Sequence, residues 1–269
     1  MSNEIEQYEI LNIPYFQQFA KGEGVKIAVM DSELILSHGE FNGSNIEYKE
    51  FINSVAYNYH GTATSSLIVG QNIGVAPKAE LLHLKMLSDV YGSGFSWDKA
   101  MSYAMRSNVD LICMSLGTKD NLSTSMRQSI QRATENGILI FAPSGNEGRT
   151  LLRNPADNPN VVAVGGIDLD KKIAKKSNRS KFIEGYAPSE NIFIADGLDD
   201  SGYSTTDGTS FANAIFVGQV ALILSYVRKN NKEINLRDFL TNYNIKYRAD
   251  RKILDMKKVK EELDILLNL

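Results

Sequence analysis

The sequence predicts an α/β fold of three layers, a mostly parallel central sheet with helices on both faces, and three observations lead there. Short apolar runs of strand length alternate with segments of helical character along most of the chain, the pattern of a parallel sheet covered on both sides. At 269 residues and 43% hydrophobic content, the chain is long and apolar enough to bury one large core. No internal repeat, low-complexity segment or interdomain linker divides it. The expectation is therefore one domain over 1–269, with an arm at 1–23, a core at 24–230 and a C-terminal helical segment at 231–269.

The elements follow in order. Met1-Ser-Asn-Glu-Ile-Glu6 is polar and acidic where a secretory signal would be basic and then apolar, which points to a cytoplasmic protein or to a secreted one already trimmed. Strands are expected near 25–30, 80–86, 109–114, 137–142 and 160–165, and helices near 61–69, 96–107, 123–136 and 210–229. Met256, Val259, Leu263 and Leu266 recur at helical spacing and predict a terminal amphipathic helix docked on the core. No apolar run is read as approaching the roughly 20 residues of a membrane-spanning helix. A net charge of −3 gives no footprint for nucleic acid or an anionic membrane, and the basic stretch from Lys171 to Lys181 reads as a solvated loop. The single cysteine, Cys113, rules out an internal disulfide and reads as a buried small hydrophobe.

Three residues could supply nucleophilic chemistry. Asp31 ends the first apolar run, His60-Gly-Thr62 opens a helical segment, and Ser210 lies in Asp207-Gly-Thr-Ser-Phe-Ala212 just inside a helix start. A serine hydroxyl is a weak nucleophile near neutral pH. It needs a base to take its proton and a carboxylate to hold that base in one tautomer. The chain has three histidines, at 38, 60 and 83, and His83 lies in the apolar run Leu81–Leu84, where it reads as a packed core residue. A serine in Gly-Thr-Ser taken alone reads equally well as a helix cap.

The order Asp, His, Ser, with Asp-Ser, His-Gly-Thr and Gly-Thr-Ser around it, resembles the subtilisin-like serine proteases, the subtilases, from about Gly24 to about Leu224. The resemblance implies a serine endopeptidase with Ser210 as nucleophile, His60 as base and Asp31 orienting it. Ala142-Pro-Ser-Gly-Asn-Glu-Gly148 resembles the family's oxyanion segment, which makes Asn146 a side-chain donor to the tetrahedral oxyanion. Tyr91-Gly-Ser-Gly-Phe-Ser-Trp97, with Ser93 and Gly94, and Ser115-Leu116-Gly117 resemble the two strands that hold an extended peptide between them. Ser144 and Gly145 continue that substrate surface. The expected partner is a peptide or protein substrate bound as an extended strand to a monomeric enzyme, with no nucleic acid and no membrane.

Departures from the family pattern carry further expectations. The stretch from His60 to Gly74-Val-Ala-Pro77 is short where many subtilases carry a tight calcium loop, so that calcium site is expected to be missing, although Glu40 stands where a carboxylate ligand would be. No other cofactor is expected. Ala214 takes the place of a proline after the nucleophile, restoring an N–H at the helix start, with transpeptidation as one consequence to assay. One alignment puts Arg153 at the base of the primary specificity pocket, favouring an acidic or amide-bearing residue before the cleaved bond, with Glu147 near enough to neutralise it. Leu11-Asn-Ile-Pro-Tyr15 resembles the short blocking motif of intracellular subtilisins and equally the hydrophobic start of a helix. The roles that fit are a leader-removing processing protease and a general intracellular degradative one. A peptide-binding module that keeps the fold without catalysis, or a chain locked as a zymogen, is a different class of answer, which the reactivity of Ser210 discriminates.

Overall fold

The computed structural model describes residues 6–53, 60–88, 94–246 and 252–269. In chain order the elements are α1 (Glu6–Glu9), α2 (Ile13–Phe16), β1 (Lys26–Asp31), β2 (Asn45–Glu50), α3 (His60–Val69), β3 (Glu80–Lys85), α4 (Gly94–Arg106), β4 (Leu111–Cys113) and α5 (Thr124–Glu135). The chain continues through β5 (Leu139–Pro143), β6 (Val161–Ile167), β7 (Gly185–Pro188), β8 (Ile192–Ala195), β9 (Tyr203–Thr206), α6 (Thr209–Lys229), α7 (Leu236–Lys246) and α8 (Met256–Leu267). Seven strands form one parallel sheet in the order β2-β3-β1-β4-β5-β6-β7, and β8 and β9 make a separate antiparallel pair.

The period-two alternation of the strands produces the three layers. Ile27 and Val29 of β1, Leu111 and Cys113 of β4 and Phe141 of β5 pack into one cluster with α3, α6 and α8. Their neighbours Ala28, Met30, Ile112, Ile140 and Ala142 pack into the other, with Trp97, Met101 and Ala104 of α4 and Ile130 and Ala133 of α5. Each large apolar side chain so buried contributes about 1.5–3 kcal/mol. Local signals start the helices: Ser123 accepts from the Met126 N–H at 3.2 Å ahead of α5, and Asp255 accepts from the N–H groups of Lys257 and Lys258 ahead of α8.

α6 is the element on which the site depends. It has 21 residues, and Phe211, Ala212, Ile215, Phe216, Val217, Val220, Ala221 and Leu222 are all buried. By length and apolarity it would pass as a membrane-spanning helix, which the sequence reading missed, yet 89% of its most apolar window is buried inside the fold. It therefore reads as the core helix of this α/β unit. Small residues let it lie close to its neighbours: a Cβ added at Gly185 of β7 would fall 2.3 Å from the Phe216 ring, and one at Gly218 would fall 2.6 Å from Val75. At its far end, the Ser225 hydroxyl donates to the Glu23 carbonyl and Arg228 forms a two-pronged ion pair with Asp110, just ahead of β4. α6 thus runs back across the sheet, from the carboxyl ends of the strands to their amino ends.

Two sequence expectations need correction. Leu267 turns into the core at 5% exposure while Leu266 is 55% exposed, because the buried stripe steps from Leu263 by four residues and not by three. Leu11 and Ile13 are fully buried in the cluster under α6 and α8, the Leu11 carbonyl accepts from the Met256 N–H at 2.8 Å, and Asn12 bonds Asp255. That segment is accordingly part of the core, and the blocking-motif reading is overturned. The edge strand β2, with its polar alternation, and the short strands β7, β8 and β9 were not anticipated.

Glu40 is fully buried and its carboxylate accepts from the Asn72 N–H and side chain, the Ile73 N–H and the Tyr203 hydroxyl, at 2.6–3.2 Å. It ties the turn at Gly39–Phe41 to the end of α3 and to β9. Ala214 lies buried inside the unbroken run of α6.

Candidate active site

Sheet order fixes where a site can form. β1 has β3 on one side and β4 on the other, and the chain's progress across the sheet reverses between β1 and β4. The carboxyl ends of two such strands diverge and leave a crevice. Asp31 is the last residue of β1, and Ser115 lies two residues beyond β4. α3 begins at His60 beside the first, and α6 brings Ser210 against the second.

Asp31 has no exposed surface, and its carboxylate has donors in several directions. Oδ1 accepts from the Ser32 N–H at 2.7 Å and from His60 Nδ1 at 2.8 Å, and Oδ2 lies 3.0 Å from the same nitrogen and accepts from the Thr64 hydroxyl at 3.1 Å. Burial alone would raise the pKa of this carboxyl, but the His60 charge, the His60 hydrogen bond and the Ser32 N–H outweigh it and hold Asp31 below its ordinary value. For His60, burial works to depress the pKa and the Asp31 anion raises it, with a net rise above 6.5. The bond to Asp31 places a proton on Nδ1 and directs Nε2 outward. The imidazole remains a quarter exposed.

Ser210 stands in the first turn of α6. Its hydroxyl donates to the Ser115 carbonyl at 3.1 Å, while the Ser115 hydroxyl donates to the Ser210 carbonyl at 2.9 Å. Asn213, one turn into the helix, donates to the Ser115 hydroxyl and to the Cys113 sulfur, so α6 and the end of β4 are latched together. The ring of Phe211 packs against His60 with centroids 5.5 Å apart, which brings the start of α6 to the imidazole. Gly208, with φ of 155°, turns the chain into the helix in a conformation that favours glycine.

Asn146 follows β5 and meets the same helix start. Its Oδ1 accepts from the Thr209 N–H at 2.9 Å and from the Thr209 hydroxyl at 2.8 Å. A backbone N–H can only donate, so the amide oxygen is fixed on Thr209 and the Nδ2 donors are turned the other way, beside Gly208. The Ser210 N–H belongs to the first turn, where the helix itself offers no acceptor, and the positive end of the helix dipole lies there as well. A hydroxyl, a carboxylate-held imidazole and two N–H donors around one crevice are the parts that acyl transfer requires.

The structure therefore gathers Asp31, His60, Ser210 and Asn146 at one edge of the sheet, with Ser115, Gly117, Ser144, Gly145 and Arg153 beside them. Leu116 turns partly into the cluster under α4 and α5, Gly94 opens α4, and Ser93 lies outside the described residues. Sequence reading missed Thr64, Ser32, Thr209 and Asn213. Thr64 had a signal, since it follows His60 by one helical turn and so faces the same carboxylate. His83 is a core residue as expected, with its ring nitrogens on the Ser65 hydroxyl and the Ser32 carbonyl. Cys113 is buried, and burial pushes its thiol up to about 12. Among the described residues, no three or more His, Cys, Asp or Glu side chains gather as a metal-binding group.

This geometry can be set beside known proteins. The model of the subtilase family matches residues 22–258. The major intracellular serine protease of Bacillus subtilis (strain 168) is 34% identical over 226 residues, 77% of this chain and 70% of the relative. An intracellular serine protease of Paenibacillus polymyxa is 30% identical over 241 residues, 82% of this chain and 73% of the relative. Among solved structures, the prenylagaramide maturation protease PagA superposes with a TM-score of 0.78 at 26% identity, covering 86% of this chain and 87% of that one. The self-cleaved protease domain of PatA gives 0.75 at 25% identity, covering 83% and 88%. With its seven-stranded parallel sheet and a match over most of its length, the chain belongs to the subtilase family of serine endopeptidases.

Proposed function

We propose that this endopeptidase is a processing protease of narrow specificity, one that removes leader segments from precursor peptides in the cytoplasm, and that Asp31, His60, Ser210 and Asn146 carry its chemistry. The observation that carries the catalytic reading is the convergence of the Asp31–His60 pair, the Ser210 hydroxyl and the Asn146 amide at the carboxyl edge of the sheet. The processing role draws support from likeness to a prenylagaramide maturation protease, and the cytoplasmic location from likeness to two intracellular serine proteases. A general degradative role is the second reading, favoured by the 34% identity to a major intracellular serine protease. Ready digestion of unfolded casein would favour it.

In this mechanism an extended substrate pairs its backbone with residues 115–117. A substrate N–H that takes the Ser115 carbonyl as its acceptor releases the Ser210 hydroxyl, which turns toward His60 Nε2. Ser210 Oγ attacks the scissile carbonyl carbon as its proton passes to Nε2, and Asp31 stabilises the imidazolium. The oxyanion is met by Asn146 Nδ2 and the Ser210 N–H, donors that contribute more in the transition state than in the ground state. His60 then protonates the leaving amine, and the acyl-enzyme ester is cleaved by a water that His60 deprotonates. The same donors define the first test. A fluorophosphonate should form an ester between its phosphorus and Ser210 Oγ with loss of HF, adding the mass of the probe less HF in native protein and not in Ser210→Ala or in denatured protein; a folded protein that stays unlabelled contradicts the reading.

Two further outcomes follow. Since His60 must be neutral to act as base and its pKa is raised by Asp31, kcat/KM should climb along a limb centred above pH 6.5. Asp31→Asn removes the anion, moves that limb to lower pH and lowers kcat by about 10⁴-fold. An unmoved limb would mean that Asp31 does not set the base. The second concerns Glu40, whose carboxylate we read as satisfied by Asn72, Ile73 and Tyr203 in place of calcium. A calcium site at hundredfold saturation adds about 2.7 kcal/mol. Chelation with EGTA should therefore leave Tm within about 1 °C, and a fall of several degrees would show that calcium holds the fold.

A further inference from the structure

Beside Ser210, two glycine-bearing segments stand either side of a third, which forms a floor between them. One wall is Ser115-Leu116-Gly117 and the other Ser144-Gly145-Asn146, the segments that follow β4 and β5. The segment between them is 153–154: the Arg153 N–H donates to the Ser144 carbonyl at 3.2 Å, and Thr118 and Asn154 exchange backbone hydrogen bonds at 2.8 and 3.1 Å as an isolated antiparallel bridge. Both walls are glycine where they face Arg153. A Cβ added at Gly117 would lie 3.1 Å from the Arg153 Cβ, and one at Gly145 would lie 2.7 Å from its Cγ. The stem of Arg153 thus lies between the two glycines, and its side chain is only 11% exposed.

The guanidinium does not stand alone. Its Nε donates to Glu147 Oε1 at 2.9 Å, its Nη2 forms an ion pair with the same oxygen at 2.6 Å, and Glu147 Oε2 accepts from Asn178 Nδ2 at 2.7 Å. Burial would raise the Glu147 pKa, but Arg153 and Asn178 hold it below the ordinary range, so the pair is ionised and neutral overall. Nη1 of Arg153 has no partner among the described residues. The floor therefore offers one donor edge beside a carboxylate that retains acceptor capacity, with no net charge.

We infer that Arg153 and Glu147 together select a carboxamide, Asn or Gln, as the residue immediately before the cleaved bond. The inference rests on the proposed reading of Ser210 as the attacking nucleophile. An amide oxygen accepts from Arg153 Nη1 while its NH₂ donates to Glu147, so both floor groups keep hydrogen bonds when water leaves. A carboxylate there meets the Glu147 anion, and a lysine or arginine meets the Arg153 cation. A large apolar side chain would strip water from Glu147, whose carboxylate is still a third exposed, and from the guanidinium edge of Arg153, and return no hydrogen bond to either, which is costly. The acidic preference that Arg153 by itself would imply is cancelled by Glu147.

The test maps every cut the enzyme makes in a proteome-derived peptide library by mass spectrometry, with fluorophosphonate labelling of Ser210 measured on the same sample. Asn and Gln should precede the cut at least about 10-fold more often than their background frequency, since a site built to hydrogen-bond a side chain rejects those that cannot. In Glu147→Gln, which leaves Arg153 uncompensated, cuts after Asp and Glu should rise by roughly 10-fold or more relative to those after Asn and Gln. A labelled enzyme that cuts after apolar, small or basic residues, or that cuts nothing in a library rich in Asn and Gln contexts, overturns the carboxamide assignment and leaves the protease reading standing. An unchanged acid-to-amide ratio in Glu147→Gln overturns it as well. Absence of labelling together with absence of cleavage overturns the protease reading, and the inference with it.

Discussion

The rest of the site follows from one buried negative charge. Asp31 ends the central strand β1 with no exposed surface, and an ion there is tolerated only when its charge and lone pairs are answered. Ser32, Thr64 and His60 answer them. Two of these three come from α3, so satisfying the carboxylate fixes where that helix begins. Ser32 also accepts from the Gly61 N–H at 3.0 Å, a second tie between the strand and the first turn of α3. A Cβ added at Gly61 would lie 2.5 Å from the Glu33 carbonyl, so only glycine permits that approach. The imidazole is thus oriented by the same contacts that make the buried charge tolerable.

The second part of the arrangement is delivered by α6. The helix is held along its length by the core and at its far end by Arg228 and Asp110, so its first turn is a fixed position and not a loop. That turn touches three segments at once: Ser115 through Ser210, Asn146 through Thr209, and His60 through Phe211. Groups distant in sequence are held by rigid elements that share one core, which is how preorganised donors are kept in place without reorganisation during reaction.

Much of this was legible in the sequence. The strands near 25–30 and 137–142 and the helix near 210–229 could be read from their continuous apolar character, and Asp31, His60, Asn146 and Ser210 from short motifs at element ends. What escaped was set by tertiary context. β2 is a polar edge strand held by pairing with β3, and β7 to β9 are four residues each, too short for periodicity to register. Leu266 and Leu267 are both apolar, and only the phase of α8 against the core chooses between them. The blocking-motif reading of Leu11 to Tyr15 failed because composition cannot say which surface an apolar segment covers. Arg153 was placed at the pocket by alignment, but its pairing with Glu147 depends on Asn178, which lies on a distant loop.

The central claim is that Asn146 and the first turn of α6 form one oxyanion site around Ser210, next to an imidazole that Asp31 holds. A crystal structure of the fluorophosphonate-treated protein tests it most directly. The account predicts a covalent bond from Ser210 Oγ to phosphorus, with the phosphoryl oxygen about 2.7–3.1 Å from both Asn146 Nδ2 and the Ser210 N–H, and His60 Nδ1 still on Asp31. An adduct whose phosphoryl oxygen points to other donors, or an Asn146 amide turned away from it, would contradict the account.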